Sequence, residues 1–352
     1  MTGTLLAGIA ARRVPTDRLA ANVLERPSSG AAAATVLFVH GNVSSSLFWQ
    51  PLMLALPHSV RALAVDLRGF GDTETLPVDA TRGVRDFSDD VAAVIGALAL
   101  GPVHLVGWSM GGGVAMQLLL DRHDLVRTLT LVSTVSPYGF GGTAADGSLL
   151  NPDASGTGGG GANPDFVARL AAGDTGEESP TSPRAVYRSS YVAPGFVSEH
   201  EDLWVESMLS TATGDDNYPG DASATEHWPG FAPGTRGVLN TMAPTYFDTS
   251  GIVDLPEKPS VLWIHGALDA IVGDASFFDL NQLGAAGIIP GWPGEQTAPP
   301  QPMLAQTRTV LERYAAAGGT SREVVFEECG HSPHIEKPEE FRAELLAHVG
   351  VG

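Results

Sequence analysis

Val103-His104-Leu105-Val106-Gly107-Trp108-Ser109-Met110-Gly111-Gly112-Gly113-Val114-Ala115-Met116 decides how this chain reads. It begins as a short apolar run and continues from Val114 through Met116-Gln117-Leu118-Leu119-Leu120 as a helical pattern. Between them lies Gly107-Trp108-Ser109-Met110-Gly111, a G-x-S-x-G match. A strand that turns sharply into a helix holds its turn residue in a strained conformation with the side chain exposed. Small residues two before and two after it let strand and helix pack closely. Gly107 and Gly111 supply these, and Ser109 becomes the candidate nucleophile. In a chain with 42 glycines the pattern alone arises by chance, so the strand-then-helix context carries its weight.

Outward from this stretch, further apolar runs read as strands. Upstream, Thr35-Val36-Leu37-Phe38-Val39 is a continuous run of the kind buried on both faces of a parallel sheet. It ends in His40-Gly41-Asn42. Val60-Arg61-Ala62-Leu63-Ala64-Val65 follows and ends in Asp66-Leu67-Arg68-Gly69-Phe70-Gly71. Residues 8–25 read as two short strands around Pro15-Thr16-Asp17. Helices are predicted over 47–56 and over 87–100, the second from Val91, Val94, Ile95 and Leu98. Downstream come Thr128-Leu129-Thr130-Leu131-Val132, then Ser260-Val261-Leu262-Trp263-Ile264-His265-Gly266 and Arg322-Glu323-Val324-Val325-Phe326-Glu327. Helices are predicted over 303–317 and 339–349. The alternation predicts an α/β fold, a mostly parallel central sheet flanked by helices, with its chemistry at the carboxyl ends of the strands.

The alternation breaks once at length. Residues 137–164 are dominated by Gly, Ala, Ser, Asn and Asp, with Gly158-Gly159-Gly160-Gly161 at the centre. Helical pieces follow over 165–172, 183–192 and 198–211. Residues 137–250 are therefore expected to form an inserted helical cap over the sheet's carboxyl edge, with 1–136 and 251–352 as the core. A second Pro/Gly-rich segment, 273–302, is expected to shape the pocket mouth.

Bulk properties remove several function classes. Asp plus Glu number 40 against 20 Lys plus Arg, a net charge of -20. Such a field repels phosphate backbones and anionic lipid, so nucleic acid is not an expected partner. Cys329 stands alone, which rules out an intrachain disulfide framework, and it reads as a buried small residue rather than a thiol nucleophile. No stretch of about 18 uncharged apolar residues suggests a membrane span. Residues 1–11 are too short an apolar run for a signal segment, and Arg12 and Arg13 come after it rather than before. A soluble cytoplasmic protein is the expectation.

A serine hydroxyl is a poor nucleophile near neutral pH. It needs a base within hydrogen-bond reach, and the base needs an acceptor that sets its tautomer. Asp269 follows one strand after Ser109 and His331 follows the last, both at carboxyl ends. Together with His40-Gly41-Asn42, Asp66-Leu67-Arg68-Gly69-Phe70-Gly71, Gly266-Ala267-Leu268-Asp269 and Gly330-His331-Ser332-Pro333-His334, this order resembles the α/β-hydrolase family over nearly the whole chain outside the cap. The resemblance implies Ser109 as nucleophile, Asp269 as acid and His331, directly after the Gly that ends the last strand, as base. His334 is the alternative base and Asp274 the alternative acid; Asp254 precedes its strand and so lies on the wrong side. It also implies two backbone amides for the oxyanion, from Met110 and Asn42, with Val43 as the alternative to Asn42. His40, His104 and His265 are expected to be structural, bonding nearby backbone.

His40-Gly41-Asn42 with Trp108 also looks like the haloalkane dehalogenases. Those use an aspartate nucleophile, and a serine ether has no easy hydrolytic exit, so halide displacement is rejected. Asp66 to Gly71 is expected to brace the rim. The acidic run Gly214-Asp215-Asp216-Asn217-Tyr218-Pro219-Gly220-Asp221 lacks EF-hand spacing and reads as a solvated turn.

The expected function is hydrolysis of a carboxylic ester or lactone of a medium-sized hydrophobic small molecule through an acyl-serine, with no metal or organic cofactor. Phe166, Tyr187, Tyr191, Trp204, Met208, Trp228, Phe231, Tyr246 and Phe247 are numerous enough to line an aromatic pocket as well as fill a cap core. C–C hydrolysis of a ring-fission diketone, amide hydrolysis and cofactor-free perhydrolysis use the same residues on the same fold. From another class, a ligand-sensing protein on a hydrolase scaffold is the alternative.

Overall fold

Eight strands make one sheet in the computed structural model, which describes residues 4–30 and 32–351. They are β1 (Ala10–Pro15), β2 (Ala20–Arg26), β3 (Ala34–Val39), β4 (Val60–Val65), β5 (Val103–Trp108), β6 (Val126–Val132), β7 (Ser260–Gly266) and β8 (Ser321–Phe326). Their spatial order is β1-β2-β4-β3-β5-β6-β7-β8. β1 and β2 pair antiparallel, as do β2 and β4; every other pair is parallel. The chain runs from β3 outward to β4, then crosses back to β5 on the other side of β3. That reversal opens a crevice at the carboxyl ends of β3 and β5. The segments leaving these two strands carry Asn42 and Ser109.

The central strands earn their position from composition. Every residue of β5 is buried, and Val36, Leu37, Phe38 and Val39 of β3 are buried as well. The helices that cover the sheet include α1 (Gln50–Ala55), α2 (Arg85–Ala97) and α3 (Met110–Asp121). The helix predicted over 47–56 is broken into a single 3-10 turn, Ser46–Trp49, followed by α1. Pro51 explains the break, because a residue without an N–H sits comfortably only in the first turn of a helix.

The Asp66–Gly71 turn braces the rim as expected. Asp66 accepts from the amides of Ser46 (2.7 Å) and Asp72 (3.0 Å) and from the Asn22 side chain (2.8 Å). Arg68 grips Asp90 of α2 with two hydrogen bonds of 2.7 and 2.8 Å. Both partners are buried, so removing either would leave an uncompensated charge.

Between β6 and β7 the chain leaves the sheet. The segment contains α4 (Pro164–Ala172), a short helix Pro183–Val186 that runs into a single π turn Tyr187–Tyr191, and α5 (Glu201–Leu209). It also contains two ribbons not predicted from the sequence, Thr213–Gly214 with Tyr218–Pro219 and Ala222–Ala224 with Phe231–Pro233. Strands of two or three residues are too short to show a period of two. The acidic run lies in the first ribbon's neighbourhood, where Arg236 pairs with Asp215, Asp216 and Asp221.

Residues 273–302 carry a helix the sequence did not reveal, α6 (Leu280–Ala285), capped by Asp279, whose side chain accepts from the Asn281 and Gln301 amides. A buried amide network anchors this segment to the start of the first insertion. Gln301 accepts from the Gly141 amide (2.5 Å) and donates to Gln306 of α7 (Met303–Ala316). Gln306 in turn bonds Ser136, Thr143 and Ala144. Each member has a partner, which is the condition under which a buried polar network stiffens a structure rather than weakening it. The chain closes with α8 (Pro338–Val349).

Candidate active site

Ser109 sits at φ 56°, ψ -123°, between the last residue of β5 and the first of α3. A non-glycine residue there is strained, and such strain persists only where its surroundings hold it. They do: the Ser109 amide donates to Val132 (2.9 Å), and its carbonyl accepts from Gly112 (2.9 Å) and Val135 (3.2 Å). A Cβ at Gly107 would lie 2.2 Å from the Gly111 carbonyl oxygen, and one at Gly111 would lie 2.4 Å from that of His40. Close approach of backbones is therefore the reason both positions are glycine.

His331 and Asp269 meet as expected. The imidazole Nδ1 lies 2.8 Å from Asp269 Oδ2, and both side chains are almost wholly buried. The other carboxylate oxygen accepts from the amides of Ile271 (2.8 Å) and Val272 (2.9 Å), so Asp269 cannot rotate without losing them. Asp274 is engaged elsewhere, capping α7 through the Leu304 amide (2.8 Å). Asp254 ends a turn that precedes β7.

His334 is not placed to be the base. It is buried between Trp49 (ring centroids 4.2 Å) and Trp108 (4.9 Å), and neither ring nitrogen has a hydrogen-bond partner among the described residues. Burial, with His331 nearby, holds its pKa well below the usual histidine value. It serves as a neutral aromatic filler. His40 is structural: Nδ1 lies 2.7 Å from the Gly41 carbonyl, Nε2 accepts from the Leu67 amide, and burial lowers its pKa. His104 and His265 differ from expectation in bonding side chains, Thr128 and Glu323, rather than backbone.

Ser109, His331, Asn42, Val43 and Met110 all border one cavity of about 410 Å3. Ser109 Oγ makes no hydrogen bond among the described residues. Val43 is itself strained at φ 45°, and a β-branched residue rarely adopts that conformation. Tyr191 secures this turn from the insertion. Its hydroxyl lies 3.0 Å from the Asn42 carbonyl and 3.2 Å from that of Val43, positioned to donate to either. Burial raises the Tyr191 pKa, so the phenol keeps the proton it donates. The same ring packs edge-on against His331 (6.1 Å) and Trp108 (5.9 Å).

Three roles were not visible in the sequence. Trp108 donates its indole N–H to the His331 carbonyl (2.8 Å), which anchors the backbone at His331. Glu336 is buried and accepts from the amides of Gly330 (3.0 Å), Ser332 (3.2 Å) and, across from the insertion, Ala193 (2.7 Å). The aromatic lining also departs from expectation. Of the nine large residues expected, only Phe166 and Tyr191 border the cavity; Trp204, Met208 and Phe247 are core of the insertion and its seat. Trp108, Phe140, Tyr218, Phe277 and Phe278 supply the rest. Pro-rich and Gly-rich surroundings concealed the last two from pattern reading.

Fold and site together define a chain of the α/β-hydrolase type. The chain belongs to the alpha/beta hydrolase family, whose description matches residues 36–344. It is 34% identical over 127 residues to a 2-(acetamidomethylene)succinate hydrolase of Mesorhizobium japonicum, covering 36% of this chain and 43% of that one. It is 31% identical over 119 residues to a 2-hydroxymuconate semialdehyde hydrolase of a Pseudomonas species, covering 33% and 42%. The chain thus spans less than half the length of these relatives. Among solved structures, an esterase from Exiguobacterium antarcticum superposes with a TM-score of 0.60 at 16% identity, over 97% of this chain and 100% of that one. No helix among the described residues is long and apolar enough to cross a membrane.

Proposed function

We propose that this protein is a serine hydrolase of carboxylic esters or lactones of hydrophobic small molecules, acting through an acyl-serine. The observation that carries this reading is the strained Ser109 sharing one cavity with His331, whose Nδ1 is held at 2.8 Å by a buried Asp269. In this reading His331 takes the Ser109 proton as Oγ attacks the acyl carbon. The tetrahedral oxyanion lies against the Met110 amide, at the N-terminus of α3, and an amide of the Asn42–Val43 turn. His331 then protonates the departing alcohol, and a water deprotonated by His331 releases the acid. The segment 137–250 acts as a cap that walls the cavity.

Labelling with a fluorophosphonate, read by intact mass, tests the proposal. Wild type should gain a single adduct and Ser109→Ala none. A folded wild type that stays unmodified, or a Ser109→Ala chain that labels equally, overturns the reading.

The Tyr191 hydroxyl gives a further expected result. Tyr191→Phe keeps the ring and its packing but releases the strained turn that carries an oxyanion amide. Loss of one such hydrogen bond, about 1–2 kcal/mol, should lower kcat roughly 5- to 30-fold with KM nearly unchanged. A change confined to KM would show that Tyr191 acts on substrate binding and not on the turn.

A further inference from the structure

The cavity wall is chemically one-sided. The chain has 60 charged side chains of the Asp, Glu, Lys and Arg types, and none of them borders the cavity. His331 is the one bordering residue of a type that ionises near neutral pH. The remaining polar groups are neutral hydroxyls and amides, such as Asn42, Asn163, Thr157 and Thr181. The two segments that build most of this wall hold no spare cation either. Residues 137–250 contain no lysine and four arginines, and residues 267–302 contain neither type. Each of those arginines is already paired: Arg169 with Asp165 and Asp174, Arg184 with Glu201 and Asp202, Arg188 with Glu177 and Glu201, Arg236 with Asp216. The buried charged side chains bonded to His331 and to its neighbours Gly330 and Ser332 are carboxylates, Asp269 and Glu336.

A carboxylate enclosed here would lose its water and gain no partner, a penalty that buried charges escape only by pairing. The net charge of -20 adds a long-range repulsion. A cation would be drawn by that field but would also find no counter-charge in the wall. We infer that the cavity selects acyl substrates whose enclosed part is uncharged, and that it rejects carboxylate-bearing substrates, ring-fission diketones with a free acid among them. Phe277 and Phe278 border the cavity while remaining 60% and 43% exposed, and so give the mouth an apolar rim suited to the same class. This inference rests on the serine-hydrolase reading for turnover, but its binding content stands independently.

Three p-nitrophenyl esters of matched acyl length separate the possibilities: the hexanoate, the adipate monoester with its free carboxylate, and the 6-(trimethylammonio)hexanoate. kcat/KM for the hexanoate is expected to exceed both charged esters by on the order of 100-fold, and the ratio should survive 0.5 M salt, because salt screens the distant field but not desolvation in the cavity. Phe278→Arg, which places a guanidinium at the mouth, should narrow the adipate ratio about tenfold. Either charged ester coming within tenfold of the hexanoate, or a ratio that collapses in salt, overturns the inference. Calorimetry of the same esters on Ser109→Ala gives the binding order without turnover. If wild type cleaves none of them, the serine-hydrolase reading fails, and that binding order alone then upholds or overturns the selection for uncharged ligands.

Discussion

Asp269→Asn should lower kcat by about 10^4-fold while the protein stays folded. The size follows from which atoms Asp269 touches. One of its oxygens accepts two backbone amides, from Ile271 and Val272, and the other faces His331 Nδ1. A carboxamide in this pocket has a single oxygen, and two amide donors claim it. Its NH2 is then turned toward the imidazole, and NH2 only donates. Nδ1 must become the acceptor, so the ring proton moves to Nε2, the nitrogen that the proposed mechanism needs free to receive the serine proton. The substitution is nearly isosteric, so the melting temperature separates this effect from unfolding. A loss smaller than about tenfold at unchanged stability would show that Asp269 does not orient the base.

Gly107→Ala should be the most damaging small substitution for stability. The added Cβ would meet the Gly111 carbonyl oxygen at 2.2 Å and the Gly112 Cα at 2.7 Å. Both are backbone atoms, so no side chain can swing aside, and β5 and α3 must separate at their closest approach. Overpacking of this kind costs about 3 kcal/mol or more, a drop in Tm of roughly 4 °C or more for a chain of this size. Gly96→Ala is the matched control. It lies in α2 with nothing within 4 Å of the new methyl group, and alanine is favoured over glycine in a helix by about 1 kcal/mol. A Gly107→Ala protein melting within a degree of wild type would contradict the close contact between strand and helix.

These two positions also show what a sequence can and cannot convey. Gly107 was legible because the G-x-S-x-G spacing encodes a local contact, and Asp269 because it follows a buried strand at the edge where chemistry collects. The parallel strands were legible for the same reason: burial on both faces writes itself as continuous apolar runs such as Leu37-Phe38-Val39. The contacts of Tyr191 and Trp108, and that of Glu336 with Ala193, were not, since these partners lie far away in the chain and no spacing announces them. The cavity wall was misread in part. Nothing in the sequence of the insertion tells which face each aromatic residue turns, and Trp204 and Phe247 turn inward. Phe277 and Phe278 lie in a Pro/Gly-rich segment that shows no period, although its length had marked it as a shaper of the mouth.

The Glu336 carboxylate bears on how anything enters the cavity. It takes amides from the His331 loop at Gly330 and Ser332 and from the insertion at Ala193, all out of reach of water. A breathing motion that lifted Ala193 would take one donor from a buried anion, at about 1–3 kcal/mol. A motion that pivots about Ala193 loses nothing there. The insertion is thus tied at Ala193 to the loop that carries His331, and the motions that cost least are those that leave this contact whole.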